Sequence, residues 1–163
     1  MLEQIYSSHR QGLFSLALSI TGCRQQAEDA IHSAFERLCR STASPNGEPV
    51  NYVFAAVRNA ARDAVQADRR VSKLRESIFN SHFDCPAAET APADGLLTEE
   101  RDQILRSAVE NLDDDDREVV VLKVFAELTF DAIGAILNQP AKTLASRYRR
   151  ALKKLEEQLR GQL

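Results

Sequence analysis

The most chemically distinctive stretch of the sequence is a basic segment close to its carboxyl end. Six of the 21 lysine and arginine residues lie between positions 142 and 154, and no acidic residue lies among them. At about 100° per residue on a helix, the apolar side chains gather on one side and the basic and hydroxyl side chains cover most of the other. The apolar side holds Leu144, Tyr148, Ala151, Leu152, Leu155 and Leu159, and the polar side holds Lys142, Thr143, Ser146, Arg147, Arg149, Arg150, Lys153 and Lys154.

The basic side of this helix either faces solvent or binds DNA. The residues before it favour DNA, because Thr129 can cap a short apolar helix and Asn138-Gln139-Pro140 can form a tight turn after it. A short helix, a tight turn and a basic helix predict a helix-turn-helix, whose second helix enters the major groove. In that place arginine can read guanine edges, while serine, threonine and lysine can hold phosphates.

Catalytic and metal-binding patterns are absent from the sequence. His9, His32 and His82 are isolated from one another and from cysteines at metal-ligand spacing, which is typical of surface or packing residues. The segment 82–85 could supply ligands, but it lies in a stretch rich in proline and alanine. The acidic run 113–116 is more typical of helix capping than of a cation site. We therefore expect no enzyme activity, no metal and no cofactor.

The composition predicts a folded, all-α protein. With 163 residues the chain can form one ordinary domain or two small ones, and its 44% apolar and 28% charged residues are typical of globular proteins. Only 6 glycines and 5 prolines occur, which favours helices. The net charge of -3 argues against indiscriminate coating of nucleic acid.

The cysteines and the apolar runs bear on where the protein works. Cys23, Cys39 and Cys85 are odd in number and widely spaced, so we expect neither a disulfide framework nor a thiolate zinc site. Such cysteines suit a reducing cytoplasm. No run reaches the length of a membrane span, and no targeting segment is evident. These features predict a cytoplasmic protein without membrane insertion.

Helical periodicity divides the chain into two small helical domains. Three amphipathic stripes fill residues 1–76, with a polar loop over 41–48 before the third stripe. Periodicity fades over 77–95, where proline, glycine and alanine predict a linker. Helical stripes resume over 96–163 and end in the basic helix.

Both predicted domains resemble one protein family, the extracytoplasmic-function (ECF) sigma factors of bacterial RNA polymerase, which belong to the sigma-70 family. The carboxyl-terminal half is similar to sigma domain 4, and the amino-terminal half to sigma domain 2, in the same order as in the family. The domain 4 resemblance rests on Asn111-Leu112, Asp116-Arg117-Glu118-Val119, Leu128 to Ile133, Ile136-Leu137, Pro140 and Thr143 to Ala151. The domain 2 resemblance rests on Leu16-Ala17, Thr21-Gly22, Ala27-Glu28-Asp29-Ala30, Phe35, Tyr52-Val53-Phe54, Val57-Arg58-Asn59-Ala60 and Arg69-Arg70.

The resemblance implies a subunit that directs core polymerase to specific promoters and assists DNA melting at initiation. The implied partners are core polymerase, through its β′ clamp helices and β flap, promoter DNA, and an anti-sigma protein as a further candidate. The implied polymerase-binding residues are Glu28, Asp29, His32 and Glu36. The alternative interpretation is that they form an ordinary solvated helix face. The implied contacts to the -10 element are Asn46, Tyr52, Arg58, Asn59 and Arg62, with Tyr52 equally suited to a core position. The implied contacts to the -35 element are Lys142, Thr143, Ser146, Arg147, Arg149 and Arg150.

Two other functions compete with this one. A stand-alone helix-turn-helix regulator would hold DNA unaided, which the acidic net charge disfavours. A helical interaction module would instead use the basic helix to bind an acidic protein.

Overall fold

The computed structural model describes residues 1–76 and 96–162. Over these ranges the regular structure consists of seven α-helices and no strand, which confirms the predicted all-α class. The chain divides into two compact units, Met1–Ala88 and Glu89–Leu163. The predicted linker, 77–95, lies outside the described residues, as do His82 and Cys85.

The first unit is a bundle of three helices that all pack on one another: α1 (Leu2–Thr21), α2 (Arg24–Arg40) and α3 (Pro49–Glu76). Gly22 ends α1 in the left-handed conformation, with φ 69°, and its N–H donates to the Leu18 carbonyl. Glycine adopts this conformation without a steric cost, so α2 can begin two residues later.

The core of the first unit is built from the apolar stripes of its three helices. Phe54, Leu13, Leu16, Val53 and Val57 are almost completely buried. The His9 ring meets the Phe54 ring edge to face at a centroid distance of 5.8 Å. His9 is therefore a packing residue, which is one of the two alternatives that the sequence left open.

The cysteines depart from expectation. Cys23, in the turn between α1 and α2, is buried and disulfide-bonded, whereas Cys39 is exposed with a free thiol. The expectation that the cysteines form no disulfide is therefore wrong for Cys23. Sequence spacing cannot reveal such a bond, because bonding depends on the distance between the α-carbons in the fold.

The second unit contains α4 (Leu96–Glu110), α5 (Asp114–Val124), α6 (Phe130–Leu137) and α7 (Ala141–Arg160). One cluster of its buried residues joins α4, α5 and α7, and Tyr148 packs against that cluster as predicted. Leu152, which the helical pattern places on the apolar side, is instead 41% exposed. The cluster consists of Ala108, Leu112, Val120, Ala151 and Leu155, flanked by Val109, Tyr148 and Leu159.

Arg117 fastens the end of α4 to the start of α5. Its guanidinium donates to the backbone carbonyls of Val109, Glu110 and Leu112, at 3.3, 2.6 and 2.7 Å, and pairs with the Asp114 carboxylate at 3.0 Å. The last carbonyls of a helix lack partners within the helix. A planar guanidinium with five N–H groups is well suited to bind several of them at once.

Candidate nucleic-acid interface

The predicted helix-turn-helix is formed by α6, the turn 138–140 and α7. The Thr129 hydroxyl accepts the Ala132 N–H at 3.2 Å, which confirms the predicted cap of α6. Asn138 ends α6 in the left-handed conformation, with φ 55° and ψ 48°, and Pro140 leads into α7 in an extended conformation. The short polar side chain of Asn makes it one of the few residues that adopt this conformation readily.

Gly134 is a determinant of this turn that the sequence pattern did not reveal. Its carbonyl accepts the Gln139 N–H at 3.1 Å, so the turn folds back over it. A β-carbon at position 134 would lie 2.7 Å from the Gln139 carbonyl oxygen and 3.8 Å from the side chain of Leu144. A glycine inside a helix is a weak signal, and only the close approach of the turn explains it here.

Two aromatic rings join α6 to α7. The Phe130 ring meets the Tyr148 ring edge to face at a centroid distance of 5.6 Å. The Lys123 ammonium lies 4.9 Å from the centroid of the Phe130 ring and donates to the Leu128 carbonyl at 3.1 Å. The ring contact links α6 to α7, and the Lys123 ammonium links α5 to α6.

Most of the predicted -35 residues lie on the exposed side of α7. Lys142, Thr143, Ser146, Arg149 and Arg150 are all exposed. Arg147 differs, because its side chain is only 20% exposed and its Nη1 lies 3.3 Å from the Asp115 Oδ2 of α5. Arg147 therefore lies on the flank of α7 that meets α5 and is less exposed than the other five predicted -35 residues.

The acidic run at the start of α5 binds α7 through its side chains. The Lys154 ammonium donates to the Asp116 carboxylate at 2.8 Å and to the Asp113 carboxylate at 3.0 Å. Hydrogen bonds to Asp116 and then to Asp113 raise the pKa of Lys154. Asp113 occupies the N-cap position of α5, yet its side chain makes no capping hydrogen bond. The predicted role of these aspartates in capping α5 is therefore replaced by ion pairing between α5 and α7. Their negative charges in the first turn of α5 still interact favourably with the helix dipole.

In the first unit, the predicted polymerase-binding residues share one face of α2. Glu28, Asp29, His32 and Glu36 are all exposed. Glu28 pairs with Arg24 at 3.1 Å, and Glu36 pairs with Arg40, each one helical turn away. Exposed pairs of this kind are weak, so the face can exchange them for contacts with a partner.

The predicted -10 residues lie on the loop before α3 and on α3 itself. Asn46 and Asn59 are exposed, and Arg58 and Arg62 are half-buried. Tyr52 is 40% exposed, so its ring is accessible for stacking and is not part of the core. Tyr52 and Asn59 are seven residues apart, nearly two full turns, and so lie on the same face of α3.

No cluster of three or more His, Cys, Asp or Glu side chains suited to a metal occurs in the ranges 1–76 and 96–162. Among the helices that the structure describes, none is long and apolar enough to cross a membrane.

Comparison with known families gives two matches in the predicted order. Residues 5–71 match sigma-70 region 2, and residues 102–155 match sigma-70 region 4. The chain is 25% identical to the ECF RNA polymerase sigma factor SigE of Mycolicibacterium smegmatis, over 96% of this chain and 61% of that protein. It is 24% identical to the ECF RNA polymerase sigma factor SigW of Bacillus subtilis, over 96% of this chain and 87% of that protein.

Solved structures show the same fold. The sigma factor RpoE of Bartonella quintana, in complex with the anti-sigma factor NepR, aligns with a TM-score of 0.69 at 19% identity, over 98% of this chain and 94% of that one. CnrH, in complex with the cytosolic domain of CnrY, aligns with a TM-score of 0.65 at 19% identity, over 98% and 87%.

The two region matches, in this order and with this fold, define a sigma-70 type initiation factor. The chain belongs to the sigma-70 family, and the predicted resemblance to its ECF members is confirmed.

Proposed function

We propose that this protein is a non-catalytic RNA polymerase subunit of the ECF sigma type, acting in the cytoplasm. It directs core polymerase to specific promoters and assists the melting of DNA at initiation. The observation that carries this proposal is the pairing of a region 2 match with a region 4 match whose basic helix presents an exposed, cationic face. No observation favours the stand-alone regulator.

Reconstitution with core RNA polymerase tests this proposal. The full chain is mixed with core polymerase and a library of promoter fragments, and the transcripts are mapped. Transcription from a defined subset of start sites, dependent on the added chain, is the expected result. Tight binding of the free chain as a dimer to palindromic duplexes, without association with polymerase, would instead identify a stand-alone regulator.

In region 4, the exposed face of α7 would read the -35 element as duplex DNA. Its candidate contacts are Lys142, Thr143, Ser146, Arg149 and Arg150. Exposed hydroxyl and cationic groups at the start of a helix that follows a tight turn can reach base edges and phosphates. Arg147, the remaining member of the predicted set, is held by Asp115.

In region 2, the loop 41–48 and one face of α3 would capture the non-template strand of the -10 element. The accessible ring of Tyr52 can stack on an unpaired base, Asn46 and Asn59 can bond base edges, and the guanidinium groups of Arg58 and Arg62 supply positive charge. Asn59→Ala should slow open-complex formation, and a pre-melted template should restore the rate. Gln66→Ala, an exposed amide two turns further along α3, is the matched control. Failure of the pre-melted template to rescue Asn59→Ala would assign that residue to folding or docking.

The exposed face of α2 would dock on the clamp helices of the β′ subunit, and region 4 would meet the β flap. Charge reversal at Asp29, which is exposed, should weaken binding to core polymerase in a pull-down without lowering thermal stability. Unchanged binding would make this face an ordinary solvated surface. The structures of RpoE with NepR and of CnrH with CnrY support an anti-sigma protein as a further partner.

A further inference from the structure

The cations of α7 fall into two groups that differ in their partners. Arg147 and Lys154 are ion-paired with carboxylates at the start of α5. For Lys142, Arg149, Arg150 and Lys153, no carboxylate among the described residues lies at ion-pair distance. The basic side chains of α7 therefore lie on two sides of the helix: ion pairs neutralise one flank, and the other face stays cationic.

The neutralised flank follows from helix geometry. Residues 147 and 154 are seven positions apart, nearly two turns, so they lie one above the other on α7. Asp115 meets the first, at 3.3 Å, and Asp113 and Asp116 meet the second, at 3.0 and 2.8 Å. Three of the four consecutive aspartates thus bind one side of the recognition helix.

This pairing bears on DNA binding because a phosphate and a carboxylate compete for the same guanidinium. Asp115 is 62% exposed while the Arg147 side chain is 20% exposed, so a phosphate that approaches Arg147 also approaches an exposed negative charge. The neighbouring Asp113, 78% exposed, adds to that repulsion. Contacts on this flank are disfavoured relative to contacts on the cationic face.

We propose that Asp115 is a positioning residue that holds Arg147 out of contact with DNA. Phosphate and base contacts then fall on the exposed face of α7, which includes Lys142, Ser146 and Arg150. This inference rests on the proposed function, because it assigns roles within the DNA-reading helix of region 4.

The test compares Asp115→Asn with Asp114→Asn in the full chain. Both variants remove one negative charge, but Asp114 pairs with Arg117 within α5, whereas Asp115 pairs with Arg147 of α7. Two fluorescent duplexes serve as probes: one carries the -35 element of a promoter that the holoenzyme transcribes, and the other is a random duplex of equal length. Binding is measured by anisotropy between 50 and 200 mM salt. One added phosphate contact steepens the logarithmic salt dependence by about 0.9. As the salt concentration rises from 50 to 200 mM, Asp115→Asn should therefore lose about threefold more affinity than Asp114→Asn. At low salt, Asp115→Asn should bind both duplexes more tightly than Asp114→Asn does.

Arg147 supplies the second arm of the test. Arg147→Gln should change affinity by less than about twofold and leave the base preference intact, whereas Arg150→Gln should weaken binding or relax the preference. The double variant Asp115→Asn/Arg147→Gln should lose the gain of Asp115→Asn. The inference is overturned if Asp115→Asn binds no more tightly than Asp114→Asn, or if Arg147→Gln relaxes the preference at a base pair. In the latter case Asp115 would orient a base-reading arginine.

The proposed function and the role of Asp115 can be refuted separately. If the chain directs no promoter-specific initiation by core polymerase, the proposed function fails whatever the variants do. If transcription is promoter-specific and the salt slopes of the two aspartate variants coincide, only the role of Asp115 fails.

Discussion

Gly134→Ala tests whether the turn of the helix-turn-helix is packed as closely as the structure indicates. Position 134 lies inside α6, where replacement of glycine by alanine ordinarily stabilises a helix by about 1 kcal/mol. Here the new β-carbon would lie 2.7 Å from the backbone carbonyl oxygen of Gln139. The sign of the effect therefore separates helix propensity from tertiary packing.

The magnitude follows from the contacts that must yield. The obstructing atom belongs to the backbone, so the turn itself must shift, and overpacking of this kind costs about 1–3 kcal/mol. The shift also disturbs the hydrogen bond from the Gln139 N–H to the Gly134 carbonyl, which contributes about 0.5–1.5 kcal/mol. After the gain in helix propensity of about 1 kcal/mol is subtracted, we expect a net loss of about 0.5–3.5 kcal/mol.

Native-state hydrogen exchange of the amides of α6 and α7 in the full chain measures this loss locally. The control is Gly161→Ala, because among the residues that the structure describes a β-carbon there meets only the Gln158 carbonyl oxygen, at 3.7 Å. That variant should stay within about 0.5 kcal/mol of the parent protein. Unchanged or slower exchange in Gly134→Ala would refute the described packing of the turn.

Three further outcomes are expected in the second unit. Arg117→Ala should lower the free energy of unfolding by about 2–4 kcal/mol, because three carbonyls at the α4–α5 junction lose a charged donor. Urea denaturation measures this loss, and Arg117→Lys should recover only part of the lost stability. Thr129→Ala should cost about 1 kcal/mol through loss of the α6 cap, with Thr129→Ser close to the parent protein, in the same denaturation assay. The raised pKa of Lys154 means that its contribution to stability is complete below the ordinary lysine pKa of 10.5 and is lost as pH rises through the raised value. Thermal melts should therefore show a steeper loss of stability above pH 10.5 in the parent protein than in Lys154→Met, and parallel curves would contradict the ion-pair assignment.

Local signals in the sequence predicted much of the fold. Thr129 and Asn138 mark the ends of α6 because a hydroxyl can satisfy a free N–H and asparagine tolerates the left-handed conformation, and both act as predicted. The apolar stripes predicted which faces of the helices pack, because helical periodicity is an intrinsic property of the backbone. Tyr148, on the apolar side of the basic helix, lies against the core accordingly.

Features that depend on a neighbouring helix were decided by tertiary structure. A helical projection groups Arg147 with the other cations and Leu152 with the core, yet Arg147 is paired with Asp115 and Leu152 is 41% exposed. The same projection cannot show what touches Gly134.

The sequence by itself determined that this protein is helical, that its two halves carry the patterns of sigma regions 2 and 4, and that its cations concentrate on one helix. These properties are local, since they follow from propensity, periodicity and the order of residues along the chain. Only the tertiary structure decided which of those cations are ion-paired, because that depends on the distance to carboxylates about 40 residues away in sequence, such as Asp113 from Lys154. An ion pair forms or fails within a few ångströms, and the packing of α5 on α7 sets that separation.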